Sequence, residues 1–268
     1  MHEFVFFNTA ITGVLSASIL ATSSAAIYGK GIFTTIAIYD GTPFLWEKHW
    51  RRLEYSASKL NIDLSAFSEN TTRIALEEIL KKNDVSMGRS RITFFDESAS
   101  PLWQHHKALK TGLLITTGDI RKVSEEFRLT TSPYRINTLS PLRGIKSCNY
   151  LDKLMTLEEA KSVGFNEAIQ INERHEVATA VMANVFWMKN DVLCTPSLKT
   201  GCLTGTTREF VMENLECREV EARVAELYSA DAIFLTSAGF GVVQAGKFES
   251  RKLAIKEHPI LNLLARRA

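Results

Sequence analysis

The stretch Lys146-Ser-Cys-Asn-Tyr150 decides how this chain of 268 residues is interpreted. It stands directly before a segment with helical spacing, Leu151 to Val163, and offers one amine at a strand end. A lysine taken alone is far more often a solvated surface residue. This one is followed by three further segments: Asn184-Val-Phe186, Gly201 to Arg208, and Thr236-Ser-Ala238. Together the segments predict a binding site with Lys146 at its centre.

Composition is that of an ordinary globular protein, with 45% hydrophobic and 23% charged residues. The net charge is +2, and basic and acidic residues are mixed, so nothing indicates a nucleic-acid partner. Four cysteines lack the spacing of a metal or redox motif, which predicts a reduced, cytoplasmic chain. His105-His106 has no cysteine or carboxylate at ligand spacing, and we expect no metal.

An apolar segment, Ala10 to Ile27, could be mistaken for a signal peptide. No basic residue precedes it, and Thr and Ser interrupt it repeatedly. It also lacks the unbroken apolar length of a membrane span. We therefore expect core strands and a turn here, and no membrane partner.

The first half of the chain has the pattern of locally paired strands and two helices. Two β-rich runs flank Asp40-Gly41, which predicts a hairpin. The expected strands are Phe4–Phe7, Gly31–Tyr39, Thr42–Trp46, Ser90–Phe95 and Gly112–Thr117. The expected helices are Glu47–Leu60 and Thr71–Lys82. The polar segment after them contains Pro133 and Pro141. We expect an N-terminal α+β domain over 1–117, a linker over 118–141 and a larger C-terminal cofactor-binding domain over 142–268.

The second half alternates helices and strands. Gly164 is a plausible stop for the helix from Leu151. Thr206 with Glu209 has the spacing of a capping box, which predicts a helix start. Expected strands are Glu167–Ile171, Ala183–Met188 and Asp191–Thr195, and the helix after Thr206 is expected to reach Leu215.

These segments match the needs of pyridoxal 5'-phosphate (PLP): an amine, a phosphate cradle, a partner for the ring nitrogen and walls for the ring. Lys146 is the candidate amine. Gly201 to Thr207 links a strand to a helix N-terminus, where free backbone N–H groups attract an anion. Gly205 permits close approach, Thr206 and Thr207 add hydroxyls, and Arg52 could add positive charge.

At this point the chain resembles the class IV, fold-type IV PLP enzymes, which include branched-chain aminotransferase, D-amino acid aminotransferase and 4-amino-4-deoxychorismate lyase. The resemblance covers most of the chain. It rests on Tyr28-Gly-Lys-Gly-Ile-Phe33, Tyr39-Asp-Gly41, His49-Trp-Arg-Arg-Leu53, Lys146 to Leu151, Asn166-Glu-Ala168, Asn184-Val-Phe186 and Thr200 to Arg208. It implies a two-domain α/β (α+β) fold, an amino-acid-like small-molecule substrate and a homodimer.

The resemblance also implies roles for matched positions. Lys146 would be the catalytic residue and would carry the cofactor as a Schiff base. Arg52 would grip the phosphate, Leu203 would pack on the ring, and Tyr150 would lie near the phenolic oxygen. The full cofactor-binding set implied in this way is Arg52, Lys146, Tyr150, Thr179, Leu203, Gly205, Thr206, Thr207 and Ala238. Arg91 and Arg143 are weaker candidates for binding a substrate carboxylate.

One departure from the family pattern bears on the reaction. Family members usually carry a glutamate that bonds the pyridine nitrogen, and here Thr179 occupies that position. A carboxylate stabilises a protonated pyridinium, whereas a hydroxyl can at most donate to a neutral nitrogen and leaves a weaker electron sink. Elimination tolerates this better than transamination does. Ala238 also favours the lyases, because aminotransferases of the family often have a threonine at that position. Tyr150, in contrast, is more typical of the aminotransferases.

Three functions therefore stay open. The first is a lyase that releases pyruvate from 4-amino-4-deoxychorismate to give 4-aminobenzoate, a folate precursor. The second is an aminotransferase for branched-chain or D-amino acids. The third is a PLP-fold binding protein with degraded chemistry, which Thr179 keeps under consideration.

Overall fold

The computed structural model of the chain describes residues 1–99 and 110–265. His105 and His106 lie outside the described residues. The chain divides into two compact units, Met1–Ile120 with Ile145–Tyr150, and Arg121–Gly144 with Leu151–Ala268. This division differs from the expected one, in which residues 118–141 form a linker between the two domains. Most of that segment belongs to the second unit, because Arg128–Thr131 forms a strand of its sheet, and residues 145–150 return to the first unit.

A six-stranded antiparallel sheet, in the order β2-β1-β6-β5-β3-β4, forms the centre of the first unit. The strands are β1 (Phe4–Phe7), β2 (Ala10–Gly13), β3 (Gly31–Tyr39), β4 (Thr42–Pro43), β5 (Gly88–Asp96) and β6 (Thr111–Gly118). The helices are α1 (Ser24–Tyr28), α2 (Trp46–Leu60) and α3 (Glu69–Lys82), with a 3₁₀ turn at Val14–Ser16. Helices α2 and α3 bury Trp50, Leu53, Leu76 and Ile79 in one core with Ile36 of the sheet.

The predicted hairpin is confirmed. Asp40 and Gly41 both have positive φ, 49° and 70°, as the tight turn between β3 and β4 requires. The second strand is shorter than the predicted Thr42–Trp46, since helix α2 already begins at Trp46. The hairpin thus delivers the chain directly into α2, which carries Arg52.

The prediction for Ala10 to Ile27 is wrong in part. The segment contains strand β2, a 3₁₀ turn and most of helix α1, and it contributes little to the core. Its apolar side chains are largely outside, with Leu15 98% and Leu20 54% exposed. Apolar composition alone misled the prediction. Within 1–99 and 110–265 no helix combines the length and the apolar character of a membrane span.

Two five-stranded sheets form the second unit, ordered β12-β11-β10-β13-β14 and β16-β15-β7-β8-β9. Pairing is antiparallel except for β11 with β12, β15 with β7, and β7 with β8. The strands are β7 (Arg128–Thr131), β8 (Glu167–Ile171), β9 (Val177–Ala180), β10 (Asn184–Lys189), β11 (Val192–Pro196), β12 (Arg218–Val220), β13 (Ala232–Ser237), β14 (Gly241–Gln244), β15 (Lys247–Phe248) and β16 (Arg251–Lys252). The helices are α4 (Leu151–Ser162), α5 (Thr206–Asn214), α6 (Ala225–Tyr228) and α7 (Pro259–Ala265), with a 3₁₀ turn at Leu198–Thr200.

Helix ends in this unit follow the local sequence. Helix α4 ends at Ser162, and Gly164 has a φ of 86°, as a helix stop requires. Helix α5 begins at Thr206 as predicted, but its N-cap is Gly205 and no side chain caps it. The predicted capping box is therefore wrong, because Thr206 is already inside the helix. The N-cap glycine consequently offers no side chain to the backbone N–H groups of the first turn.

Candidate active site

Segment 145–150 is held against the start of β3 by backbone hydrogen bonds. Phe33 N donates to Lys146 O at 2.9 Å, and Cys148 N donates to Gly31 O at 2.8 Å. Gly31 is required at this point, since a Cβ there would lie 3.0 Å from the Cys148 sulfur and 2.9 Å from a backbone oxygen. This pairing fixes the backbone from which Lys146 projects.

The Lys146 amine lies among aromatic rings of the first unit. Its Nζ is 4.5 Å from the ring centroid of Phe33 and 5.2 Å from that of Tyr150. The two rings meet edge to face, with centroids 5.2 Å apart. The structure thus brings Lys146 and Tyr150 together, and aromatic faces favour a cation at this position.

Arg91 approaches the same aromatic ring. Its guanidinium carbon lies 3.6 Å from the Phe33 centroid, and its Nε donates to the Thr93 hydroxyl at 3.2 Å. Burial raises the pKa of the Cys148 thiol, and the hydrogen bond and charge of Arg91 oppose that rise. The Phe33 ring and the Thr93 hydroxyl therefore hold the Arg91 side chain in place, and Arg91 is still exposed to solvent. Both properties suit a group that binds an anion.

Arg52 is part of a buried polar cluster that sequence reasoning missed. Its Nη2 donates to the Thr34 hydroxyl at 2.6 Å, and the same hydroxyl lies 2.6 Å from His49 Nδ1. Burial first, and then the charges of Arg52 and Lys146, hold the pKa of His49 well below 6.5. His49 is thus neutral near pH 7, and the Thr34 hydroxyl, which accepts from Arg52, can donate to its Nδ1. The spacing His49-Trp-Arg-Arg52 was the available signal.

In the second unit, Gly205 is packed tightly against Asn184. A Cβ at Gly205 would lie 1.9 Å from Asn184 Oδ1, so no larger residue fits without displacement. Asn184 Nδ2 donates to Leu203 O at 2.9 Å, and Gly205 N donates to the same oxygen at 2.9 Å. These bonds fix the loop that carries the half-buried Leu203 into helix α5.

The first turn of α5 presents buried hydroxyls and backbone donors. Thr206 and Thr207 are 3% and 4% exposed. Thr236, the cross-strand partner of Asn184, is 1% exposed, and its hydroxyl has no hydrogen bond among the described residues. Ala238 lies in the turn just after β13 and is half-buried. The N-terminus of a helix suits an anion, and the arrangement fits a phosphate.

Arg208 and Arg143 differ in role. Arg208 is 4% exposed and is bound at Nη2 by Glu219 at 2.5 Å and by Pro196 O at 2.9 Å, so it is a structural residue. Arg143 is exposed, and its Cγ lies 3.8 Å from where a Gly201 Cβ would stand. The weak candidate Arg143 is therefore placed beside the loop that leads to α5.

Thr179 lies buried in β9, 6% exposed, and its hydroxyl donates to Ala183 O at 2.6 Å. A hydroxyl has one hydrogen, so this one cannot donate to a ring nitrogen at the same time. That corrects the expectation that Thr179 would act as a donor. Its cross-strand partner on the same sheet face is Gln170.

Glu167 is a buried carboxyl group that sequence reasoning noted only within a motif. It accepts hydrogen bonds from the N–H groups of Ala168, Val181 and Met182. Burial raises its pKa to about 7, against the lowering effect of these bonds and of Arg121. Glu167 therefore anchors the turn between β9 and β10.

Comparison with known proteins establishes the family. Residues 31–248 match the family described as "Amino-transferase class IV", so the chain belongs to this family of PLP-dependent enzymes. It is 29% identical over 233 residues to the aminodeoxychorismate lyase of Bacillus subtilis, covering 83% of this chain and 79% of that protein. It is 28% identical over 232 residues to the D-alanine aminotransferase of Bacillus licheniformis, covering 84% and 81%.

Solved structures show the same fold. The branched-chain aminotransferase of Thermoproteus uzoniensis superposes with a TM-score of 0.90 at 22% identity, covering 100% of this chain and 94% of that one. The predicted fold-type IV architecture and the PLP cofactor are confirmed. The relatives include both lyases and aminotransferases, and amino-acid-like substrates fit the aminotransferase family.

The residues of each unit fit this cofactor. The first unit supplies an amine beside aromatic rings and an arginine held by Thr34. The second supplies a helix N-terminus with glycine at the N-cap, a glycine whose missing Cβ leaves room for Asn184, and the hydroxyl of Thr236, which has no hydrogen bond among the described residues.

Proposed function

We propose that the protein is a 4-amino-4-deoxychorismate lyase that releases pyruvate and forms 4-aminobenzoate. The observation that carries this proposal is the state of Thr179. No carboxylate stands at that position, and its hydroxyl hydrogen is already donated to Ala183 O. The position thus offers no negative charge to stabilise a pyridinium, and its hydroxyl hydrogen is not available to a neutral ring nitrogen.

Lys146 is assigned as the catalytic residue of the first unit. When bound, PLP withdraws electrons from the substrate and so acidifies its Cα–H bond. Lys146 Nζ would remove the Cα proton and return it later. The rings of Phe33 and Tyr150 limit the positions this amine can take. We also assign Arg52 to the phosphate, because Thr34 orients its guanidinium.

In the second unit, Thr206 and Thr207 with Gly205 are assigned to the phosphate, and Leu203 to the ring face. Ala238, in the turn after β13, is assigned a backbone contact only, since its side chain carries no donor. Thr179 would lie against the ring nitrogen without donating to it.

Substrate binding is assigned to Arg91 first. Its guanidinium and the Lys146 amine both contact the Phe33 ring, so a carboxylate on Arg91 would hold the substrate near that amine. Arg143 is the second candidate. We infer further that the enzyme is a cytoplasmic homodimer, which light scattering and cell fractionation would check.

Incubation with 4-amino-4-deoxychorismate in the absence of a keto acid tests the function. We expect equal amounts of pyruvate and 4-aminobenzoate from the wild type and none from Lys146→Ala. A strict requirement for a keto acid would instead establish the aminotransferase, which the position of Tyr150 against Lys146 favours as the second candidate. A chain that binds no PLP would support the third function, a binding protein.

The Thr179→Glu variant tests the link between this residue and the reaction. It places a carboxylate against the ring nitrogen and should raise transamination with D-alanine or L-leucine relative to pyruvate elimination. Thr131→Glu is not a suitable control, because the Thr131 N–H donates a hydrogen bond to the Glu249 carboxylate and the variant would place a second carboxylate beside it. Thr42→Glu, at an exposed position of the first unit, is the control. An unchanged ratio in Thr179→Glu would contradict the assignment.

A further inference from the structure

A second polar pair lies on the same sheet face as Thr179. Lys153, on the first turn of α4, donates through Nζ to Oε1 of Gln170 on β8. Gln170 is 3% exposed, and it is the direct cross-strand partner of Thr179. Side chains of such partners stand about 5 Å apart at Cβ. Gln170 and Thr179 therefore share one local environment.

Lys153 determines which way the Gln170 amide points. A lysine ammonium only donates, so the amide oxygen must face it and the NH₂ group must face away. Within residues 1–99 and 110–265, Nε2 of Gln170 makes no hydrogen bond, and it is not among the fully enclosed unpaired atoms. An almost completely buried residue thus presents an unused donor that retains access to its surroundings.

The ammonium of Lys153 is the charged group that contacts this amide. Among the described residues Lys153 makes no ion pair with a carboxylate. Burial lowers the Lys153 pKa, and the charges of Asp152 and Glu167 oppose that shift. The hydroxyl hydrogen of Thr179 is held by Ala183 O. The donor available on this face is therefore the Gln170 amide.

We propose that Gln170, oriented by Lys153, donates a hydrogen bond to the ring nitrogen of PLP and keeps that nitrogen unprotonated. The inference rests on the proposed function, in which Thr179 lies against this nitrogen. An NH₂ group can only bond a free lone pair, because a protonated nitrogen would bring two hydrogens together. The ammonium of Lys153 further disfavours a second positive charge.

Gln170 is a cofactor contact in this proposal, and Lys153 is a positioning residue. Without Lys153 the amide can turn over and present its oxygen, which would accept from a protonated nitrogen. A carboxylate in place of Gln170 would do the same more strongly. The two residues therefore select the protonation state that weakens the ring as an electron acceptor.

The ¹⁵N chemical shift of ring-labelled PLP, bound to the full-length protein, tests the proposal independently of activity. The wild type should show the shift of an unprotonated pyridine, and so should the control Lys161→Met, an exposed lysine on the same helix. Gln170→Glu should show the shift of a protonated ring, and Lys153→Met should move toward it. A protonated ring in the wild type, or a wild-type shift in Gln170→Glu, would overturn the proposal.

A second measurement covers the case in which Gln170→Glu does not fold. The wild type should bind PLP about fivefold more tightly than the analogue with CH in place of the ring nitrogen, as one hydrogen bond provides. Gln170→Leu should bind both equally. An unchanged preference in Gln170→Leu would overturn the proposal. If wild-type protein shows no PLP binding that depends on Lys146, the proposed function itself fails; normal binding with a protonated ring contradicts the Gln170 assignment alone.

Discussion

The two units arrange their polar groups in different ways. The first unit arranges cationic side chains around β3: Lys146 and Arg91 contact the Phe33 ring, and Arg52 is held by Thr34. The second unit offers uncharged donors at the start of α5, and its buried Arg208 is already bound. The difference teaches that fixed side-chain charge and backbone geometry are two separate ways of preparing a place for an anion, one in each unit.

Glu167 is a buried ionisable group in the second unit, whose phosphate-site donors are uncharged. It gives the largest effect that we predict. Its ordinary pKa is 4.5, and in the folded chain it is about 7. Between these values the unfolded chain loses its proton first, so stability falls as pH rises. Relative to Glu167→Gln, the wild-type free energy of unfolding should drop by about 3 kcal/mol from pH 4.5 to pH 8.

Denaturant unfolding at a series of pH values measures this difference. Glu158→Gln, an exposed glutamate of α4, is the matched control and should follow the wild type. If the free energies of unfolding of the wild type and Glu167→Gln depend on pH in the same way, burial does not raise the pKa of this carboxyl.

Gly205→Ala tests whether backbone geometry carries recognition in the second unit. The new methyl group must displace Asn184 and disturb the first turn of α5, at a cost of about 1–3 kcal/mol. We expect PLP affinity to fall by about 10- to 100-fold. Pyridoxal, which lacks the phosphate, should be much less affected.

The control for this variant is Gly13→Ala, where the nearest atom to the new methyl group is Ser16 Oγ at 4.0 Å. Fluorescence titration with both ligands gives the affinities. An equal loss for PLP and pyridoxal would mean that Gly205 does not act through the phosphate.

Thr34→Val tests the side-chain charge of the first unit and has the smallest expected effect. It removes the hydroxyl that binds both Arg52 and His49 while preserving the shape of the residue. Loss of one hydrogen bond to a charged group should lower PLP affinity by about tenfold. Thr35→Val, the next residue of the same strand, should bind PLP like the wild type.

Local signals in the sequence predicted much of the fold. Asp40-Gly41 specified its hairpin, because the turn needs two residues with positive φ, and β3 was predicted with its observed bounds. The helix that starts after Gly205 was also predicted at the right position. These features depend on a few neighbouring residues, which is why a single sequence revealed them.

Features that depend on distant residues escaped prediction. The Thr34 hydroxyl joins a strand to helix α2, and the spacing His49-Trp-Arg-Arg52 marks the helix residues without indicating their partner on the strand. Whether the Thr179 hydroxyl can donate to a ligand depends on the carbonyl of Ala183, which already accepts its hydrogen. The orientation of the Gln170 amide depends on Lys153 of helix α4. The return of residues 145–150 to the first unit was likewise invisible in the local composition.

Borohydride reduction of the PLP-loaded protein, followed by peptide mass spectrometry, tests most directly whether Lys146 carries the cofactor. Reduction fixes PLP to the amine that holds it. We predict that the cofactor mass is found on Lys146, and that Lys146→Ala takes up no label. Label on Lys153 or another lysine, or no label on the loaded wild type, would contradict the assignment.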